Sequence, residues 1–347
     1  MSDSRKQKLI DLGAETLAQA LLDMAVSSDA ADDLVERLIA TPEENVRRFK
    51  KKLAGLKRSK RFIDWRSFSG FVRDLEMLLQ NVKAGVADPL RGVELVAAFY
   101  ETDESVFNRC DDSSGRVGDV FRVDAKELFV EYASRCTDKE KVADIILKLN
   151  RENNYGVRDS LIECAGECLP EPVIRRMIAT LQGRVDREPE EFGKRRHLML
   201  IESLARQIKD AELFEKTRIA SWGRLSTAAI IDIARVWLES GDVQTAHSWI
   251  EKIPEEETFQ AYERDKVLRE IYRKQGDTEK LAALLYRQFK TYHSTDTLES
   301  LLDVIGHDKR DKVIAEEAAL ILESTEMRES DADFLISVGK IDEAETY

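Results

Sequence analysis

The chain is poor in residues that interrupt regular structure, since its 347 residues include only 6 prolines and 16 glycines. So few turn formers argue against the many tight turns of an all-β protein. All the prolines fall between segments of helical periodicity, as expected where helix interiors exclude proline. No run of alternating apolar and polar residues is bounded by hairpin signals. The sequence therefore predicts an all-α fold.

Cysteine and histidine are also scarce, with 4 of each. The cysteines are too few and too scattered for a disulfide framework. Cys164 and Cys168 lie one helical turn apart, but no second ligand pair at zinc-finger spacing accompanies them. The sequence predicts reduced and partly buried thiols, no metal and no cofactor.

Long apolar runs are missing as well. The longest are the 6-residue stretches Leu95–Tyr100 and Leu281–Tyr286, whereas a membrane span needs about 20 residues. The start of the chain, "MSDSRKQKLIDLGAETL", lacks the apolar segment of a signal peptide. We therefore expect a cytoplasmic protein that does not enter a membrane. Its net charge of −13 disfavours binding of nucleic acid by the molecule as a whole.

Helical periodicity runs through most of the chain and is clear in "TPEENVRRFKKKLAGL" (41–56). Thr41 and Glu44 predict a capping box, with Pro42 at the first helical position. Apolar residues then recur on one helical stripe, at Val46, Phe49, Leu53 and Leu56.

The C-terminal part of the chain repeats. "VWLESGDVQTAHSWI" (236–250) and "IYRKQGDTEKLAALL" (271–285) align on a Gly-Asp pair, which predicts a helix ended by a left-handed glycine and a next helix begun by aspartate. Looser corners occur at Gly306 and Gly339, and one without glycine at 204–214. A period of about 34 residues is typical of tetratricopeptide (TPR) hairpins, so we predict antiparallel hairpins stacked as a TPR-like α-solenoid.

These patterns suggest three regions. Residues 1–85 form an N-terminal helical region, 86–190 are middle hairpins, and 191–347 are the TPR-like repeats. The charged stretch 184–194, with its proline and glycine, predicts the boundary between the last two regions. Few residues follow Gly339, too few to close a repeat, so we expect the sequence to be truncated at its C-terminal end.

Four stretches together resemble an uncharacterised, bacterial family of helical-repeat proteins, a "domain of unknown function" family. They are "RFIDWRSFSGFVRDLEMLL" (61–79), "SVFNRCDDSSGRVGDVF" (105–121), "NNYGVRDSLIECAGECL" (153–169) and "LLYRQFKTYHSTDTLESLL" (284–302). The resemblance implies an all-helical TPR-like fold and a chain that continues beyond residue 347, and it implies no activity. Similar repeat regions can follow a SWIM-type zinc finger, whose cysteine and histidine pattern is missing from this sequence.

The stretch "NRCDDSSGRVGDVF" (108–121) is the densest group of polar residues. It fails the pattern of a calcium loop, because arginines occupy the positions of the required glycine and glutamate. We interpret it as a helix corner in which carboxylates and hydroxyls cap the next helix and Gly118 admits a neighbouring helix. A ligand loop, or less readily a catalytic or metal site, remains an alternative. The residues concerned are Asp111, Asp112, Ser113, Ser114 and Asp119.

Residues 47–66 reverse the acidic trend, with ten basic residues and one acid. This basic segment is interpreted as a solvated helix face or as internal pairing, with an acidic protein or a nucleic acid as alternative partners. Phe62 and Trp65 continue the helical spacing of Phe68, Phe71 and Leu75, which favours a place in the core over a stacking role. The candidate cations are Arg47, Arg48, Lys50, Lys51, Lys52, Lys57, Arg58, Lys60 and Arg61.

No phosphate-binding glycine loop, HExxH, GxSxG or paired-histidine motif occurs. We therefore expect no catalytic residue and favour a non-catalytic scaffold that binds an unknown protein partner. A nucleic-acid-associated protein using the basic segment is the second hypothesis.

Overall fold

A computed structural model of the chain describes residues 2–254, 256–324 and 327–347. Throughout these residues the regular structure is helical, and the nearest approach to a sheet is one isolated bridge between Ile63 and Cys110. The prediction of an all-α fold is confirmed. None of the helices in the described ranges is long and apolar enough to cross a bilayer.

The chain divides into two compact units between Ile208 and Lys209. The stretch 184–194, which the sequence predicts as a boundary, contains the end of one helix and the start of the next, and these two helices pack together. The three predicted regions remain a prediction.

The first unit contains helices α1 to α14. They are α1 (Ser2–Asp11), α2 (Ala14–Ser27), α3 (Asp29–Ile39), α4 (Pro42–Arg58), α5 (Trp65–Gly85), α6 (Pro89–Tyr100), α7 (Asp103–Phe107), α8 (Arg116–Asp119), a π-helical turn (Val120–Ala125), α9 (Lys126–Arg135), α10 (Lys139–Arg151), α11 (Asp159–Glu163), α12 (Ala165–Cys168), α13 (Glu171–Val185) and α14 (Glu191–Gln207).

Local signals begin these helices as the sequence predicts. The Thr41 hydroxyl accepts from the Glu44 N–H, and the Glu44 carboxylate accepts from the Thr41 N–H at 2.8 Å, which is the predicted capping box. In the interior of this unit, aromatic rings from different helices are buried together, and the rings of Phe99 and Phe121 stack with centroids 4.8 Å apart. The Tyr100 hydroxyl donates to the Phe121 carbonyl in the π-helical turn at 2.7 Å.

The second unit contains helices α15 to α23. They are α15 (Ala211–Trp222), α16 (Thr227–Ser240), α17 (Val243–Ile250), α18 (Ala261–Gln275), α19 (Thr278–Thr291), α20 (Thr295–Ile305), a 3₁₀ turn (His307–Lys309), α21 (Arg310–Glu323), α22 (Glu329–Ser337) and α23 (Ile341–Thr346). Leucines of α19 and α20 pack with Phe289, Val313 and Phe334 in a continuous core.

Two of the predicted glycine corners have the expected conformation. Gly241 and Gly276 are left-handed, with φ of 98° and 70°, and the aspartate after each accepts an N–H of the following helix. Gly306 differs, because its ψ of 133° lies outside the left-handed region and a 3₁₀ turn follows it. Gly339 has a φ of 79° but is followed by Lys340, which provides no side-chain cap.

Candidate interaction surfaces

The polar stretch 108–121 has the geometry of a helix corner. The two carboxylate oxygens of Asp112 accept from the N–H groups of Val117 and Gly118 at 2.9 and 2.8 Å. The Asp111 carboxylate accepts from the Ser113 N–H at 3.0 Å. Gly115, immediately before α8, is left-handed with a φ of 74°. One aspartate thus satisfies two of the four N–H groups that a helix start leaves free.

Two details of the predicted corner are wrong. The N–H groups at the start of α8 bond to the Asp112 carboxylate and not to the hydroxyls of Ser113 and Ser114. Gly118 leaves room for the Asp112 and Arg122 side chains and not for a neighbouring helix. The reason is local: Asp112 in the preceding loop and Arg122, four residues after Gly118, together fill the space next to this glycine. Asp119 lies in the first turn of α8, as predicted.

This corner is joined to other parts of the chain. The Ile63 N–H donates to the Arg109 carbonyl at 2.7 Å, and the Tyr155 hydroxyl donates to the Asn108 carboxamide oxygen at 2.7 Å. The Tyr155 ring also stacks on Phe107, with centroids 4.8 Å apart. Three of the four stretches that carry the family resemblance therefore meet at this place.

The cysteines lie away from solvent. Cys110, Cys136, Cys164 and Cys168 are free thiols and all are buried. Over the ranges that the structure describes, no group of three or more histidine, cysteine, aspartate and glutamate side chains is arranged to hold a metal ion.

The basic segment divides into partnered and free cations. Arg48 pairs with Glu36, Lys52 with Asp33 at 3.0 Å, and Lys57 with Glu101 at 3.1 Å. The Arg58 guanidinium donates to the Ala54 carbonyl at 3.1 Å. The remaining candidates are exposed and have no carboxylate within 4.0 Å in the described part of the chain, namely Arg47, Lys50, Lys51, Lys60 and Arg61.

The expectation that Phe62 and Trp65 lie in the core is wrong. Phe62 is 62% exposed and Trp65 is 81% exposed, whereas Phe71 and Leu75 on the same stripe are buried. The reason is that α5 begins at Trp65, so the helical stripe reaches the core only from its second turn. The Arg66 guanidinium lies over the Trp65 ring, 5.1 Å from its centroid. We call Lys60, Arg61, Phe62, Trp65 and Arg66 the cationic–aromatic patch.

The second unit has an open groove at α19 and α20 that sequence reasoning did not identify. Its volume is about 710 Å³. Its apolar lining comes from both helices, and cationic side chains line it as well. The lining residues are Ala282, Ala283, Tyr286, Arg287, Lys290, Thr291, Leu301, Ile305 and Arg328. We call this surface the α19–α20 groove.

The charges at the groove are held in place by neighbours. Arg287 pairs with Asp265 at 2.8 Å and still leaves 57% of its side chain exposed. The Lys290 ammonium lies 5.0 Å from the centroid of the Tyr286 ring. In the sequence, the adjacent alanines Ala282 and Ala283 are the feature that could have indicated this groove, because small residues on a helix leave space above its surface.

Comparison with known proteins identifies a family whose function is unknown. The model of a family of unknown function (DUF6880) matches residues 4–346. Neither the curated proteins nor the solved structures contain a significant match.

Proposed function

The chain belongs to this family of unknown function, and we propose that it is a non-catalytic scaffold whose α19–α20 groove binds a protein segment bearing carboxylates and apolar side chains. We also propose that the second unit is a TPR-like array. The alternation of helix, glycine corner and helix at Gly241 and Gly276 supports that arrangement.

The groove is the observation that carries the proposal. It is wide and open, and its apolar lining of alanines, Leu301 and Ile305 suits the apolar side chains of a partner helix or extended peptide. An open surface of this shape can accommodate a peptide that extends beyond the groove.

The charge at the groove sets the chemistry of the partner. Arg287, Lys290 and Arg328 all line it, although the chain as a whole carries a net charge of −13. Cationic side chains in a groove of an otherwise acidic molecule attract acidic partners and disfavour basic ones. The scaffold is therefore expected to select segments rich in aspartate and glutamate.

A display library of random peptides tests this proposal. Selection on the purified protein should enrich sequences that combine carboxylates with leucine, isoleucine or aromatic residues. Ala283 is exposed in the groove, so Ala283→Trp should fill it without disturbing the core and should weaken selected peptides by at least about tenfold. Ala319→Trp, at an exposed position of α21, is the matched control. Equal weakening by both variants, or no enrichment, would reject the groove as the binding surface.

A nucleic-acid-associated role is the second candidate, and the exposure of Phe62 and Trp65 beside unpaired cations favours it. Exposed aromatic rings flanked by basic side chains are the usual means of binding single strands. Fluorescence anisotropy of a labelled single-stranded oligonucleotide would test it at two salt concentrations. Binding that weakens with salt, and weakens further in Trp65→Ala and in Lys60→Glu/Arg61→Glu, would support this role. Arg5→Glu/Arg91→Glu, at exposed positions of α1 and α6, is the control.

A further inference from the structure

The first unit contains an open cavity in which four of the seven lining residues are arginines. Its volume is about 420 Å³ and it lies at the ends of α10 and α13 and the start of α14. The lining residues are Arg151, Arg184, Arg187, Glu188, Gly193, Arg196 and His197. Four arginines thus face a single carboxylate in a chain whose net charge is strongly negative.

The one carboxylate does not neutralise these arginines. The Glu188 side chain packs over the backbone of Gly193 and accepts from the Glu190 N–H at 3.2 Å. No arginine of the cavity has a carboxylate within 4.0 Å in the described ranges. The cavity therefore keeps an excess of positive charge when the protein folds.

Two polar atoms of the lining side chains are buried without a partner. They are Nη1 of Arg184 and Nδ1 of His197. Leaving such donors or acceptors unpaired is costly, and most buried polar groups in proteins do find a partner. This is the kind of defect that a bound ligand corrects.

The pKa values of Arg184 and His197 indicate that positive charge on either side chain is unfavourable in the cavity. Burial, followed by the nearby Arg151, lowers the pKa of Arg184. Burial, followed by Arg184, lowers the pKa of His197, which stays below its ordinary value despite the opposing effect of Glu188. An anion in the cavity would relieve both effects, because it would stabilise the charged form of each group.

One of the four arginines, Arg196, is held in place by the backbone. Nη2 of Arg196 donates to the carbonyls of Asn150 and Asn153 at 3.0 and 3.2 Å. This fixes the Arg196 guanidinium at the end of α10. A guanidinium that is fixed before binding loses little conformational entropy when it binds a ligand.

We propose that this cavity binds a small molecule that carries a phosphate group. Four guanidinium groups suit a phosphate better than a single carboxylate, because a phosphate carries up to two charges and three terminal oxygens that planar arginines bind in pairs. The cavity is within the size range of small-molecule sites. Arg196 also lines a second hollow of about 330 Å³, which carboxylates of Asp159 and Glu163 line as well. The apolar part of that hollow, from Phe192, Met199 and Leu200, offers surface to the organic part of a phosphate ester.

The test uses the full chain and the probes pyrophosphate and phenyl phosphate at constant ionic strength. Nuclear magnetic resonance of the His197 ring should show saturable shifts with at least one probe, and its pKa should rise on binding. Pyrophosphate bound more tightly indicates an inorganic polyphosphate, and phenyl phosphate bound more tightly indicates a phosphate ester. Either result supports the site.

Arg151 and Arg187 are exposed, so Arg151→Ala/Arg187→Ala should fold normally and bind at least about tenfold more weakly. The matched control is Arg5→Ala/Arg91→Ala, at exposed positions elsewhere in the unit. Three results would overturn the proposal: no saturation by about 1 mM of either probe, the same shifts from chloride, or unchanged binding in the Arg151/Arg187 variant. The arginines would then only stabilise the negative ends of α10 and α13.

Discussion

Arg158 and Asp103 form a two-pronged ion pair in the interior of the first unit. Nη2 and Nε of Arg158 lie 2.6 and 2.8 Å from the two carboxylate oxygens of Asp103. The side chains are only 6% and 1% exposed. Nη1 of Arg158 also donates to the Leu149 carbonyl at 3.1 Å. The pair thus ties the start of α7 to the end of α10 and to the loop before α11.

Removing one partner of this pair should be strongly destabilising. Asp103→Ala leaves a buried guanidinium without its counter-ion, and we expect the free energy of unfolding to fall by about 3–5 kcal/mol. Urea denaturation measures this. The double variant Asp103→Leu/Arg158→Met should recover a large part of the loss, because it leaves no buried charge. If the double variant is less stable than either single variant, the pair is required for the fold itself.

An exposed ion pair provides the comparison. Lys57 and Glu101 lie 3.1 Å apart with about 40% of each side chain exposed. Water screens such a pair, so Lys57→Ala should cost no more than about 1 kcal/mol. A cost near that of Asp103→Ala would contradict the role that we assign to burial.

The corner at 108–121 allows a matched pair of cap variants. Asp112 accepts two helix N–H groups, whereas Asp111 accepts one N–H in the loop. Asp112→Ala should therefore lower the free energy of unfolding by about 1 kcal/mol or more, and Asp111→Ala by clearly less. Chemical denaturation of the two variants measures the difference. Equal losses would show that the Asp112 cap does not stabilise α8.

The thiols of Cys164 and Cys168 should be inert in the folded protein. Burial, followed by the neighbouring Cys168, raises the pKa of Cys164 to about 12, and burial raises the pKa of Cys168 to about 11. At about pH 8 both remain protonated, and the thiolate is the reactive form. Iodoacetamide followed by peptide mass spectrometry should label them only when the chain unfolds. Rapid labelling under native conditions would show that this part of the unit opens readily.

The sequence predicts features of the fold that depend on neighbours along the chain. The capping box at Thr41 and the left-handed glycines at 241 and 276 each need only a few adjacent residues to form. Periodicity likewise indicates helices, since each apolar stripe is local. Periodicity alone does not show which elements pack against one another in the folded chain. The placement of Trp65 was wrong for this reason: its spacing continues the stripe of α5, but its side chain stays exposed at the start of the helix.

The candidate surfaces could not be predicted for the same physical reason. Arg151, Arg184 and Arg196 belong to three helices and share a cavity only after those helices pack. In the sequence each is an ordinary surface cation near a helix end. The α19–α20 groove likewise arises from how two helices lie together. By contrast, the basic segment 47–66 is visible as a run, but folding decides which of its cations remain unpaired.

The second unit contains a buried histidine between two carboxylates. Nδ1 of His293 lies 2.6 Å from Asp331 on α22, and Nε2 lies 3.3 Å from Glu317 on α21. On the α19 side, the Tyr286 hydroxyl donates to Glu317 at 3.4 Å. The Tyr347 hydroxyl contacts the other oxygen of Asp331 at 3.2 Å. The protonated ring can donate to both carboxylates at once, whereas the neutral ring can donate to only one.

The stability of the second unit should therefore fall as the pH rises above the ordinary pKa of histidine. Burial alone would lower the pKa of His293, but its hydrogen bonds to Glu317 and Asp331 outweigh burial, and the pKa is raised above 6.5. A folded-state pKa above the unfolded-state pKa stabilises the protein at pH values below the unfolded-state pKa, and this stabilisation is lost as the pH rises through the folded-state pKa.

Urea denaturation at about pH 6 and about pH 9 should show this decrease in stability in the wild type. His293→Gln should be less stable than wild type at the lower pH and should depend less on pH. His307→Gln, which removes an exposed histidine of the same unit, is the control and should keep the wild-type decrease. If His293→Gln keeps it too, the pH dependence comes from other groups, and the protonated His293 does not hold α21 and α22 together.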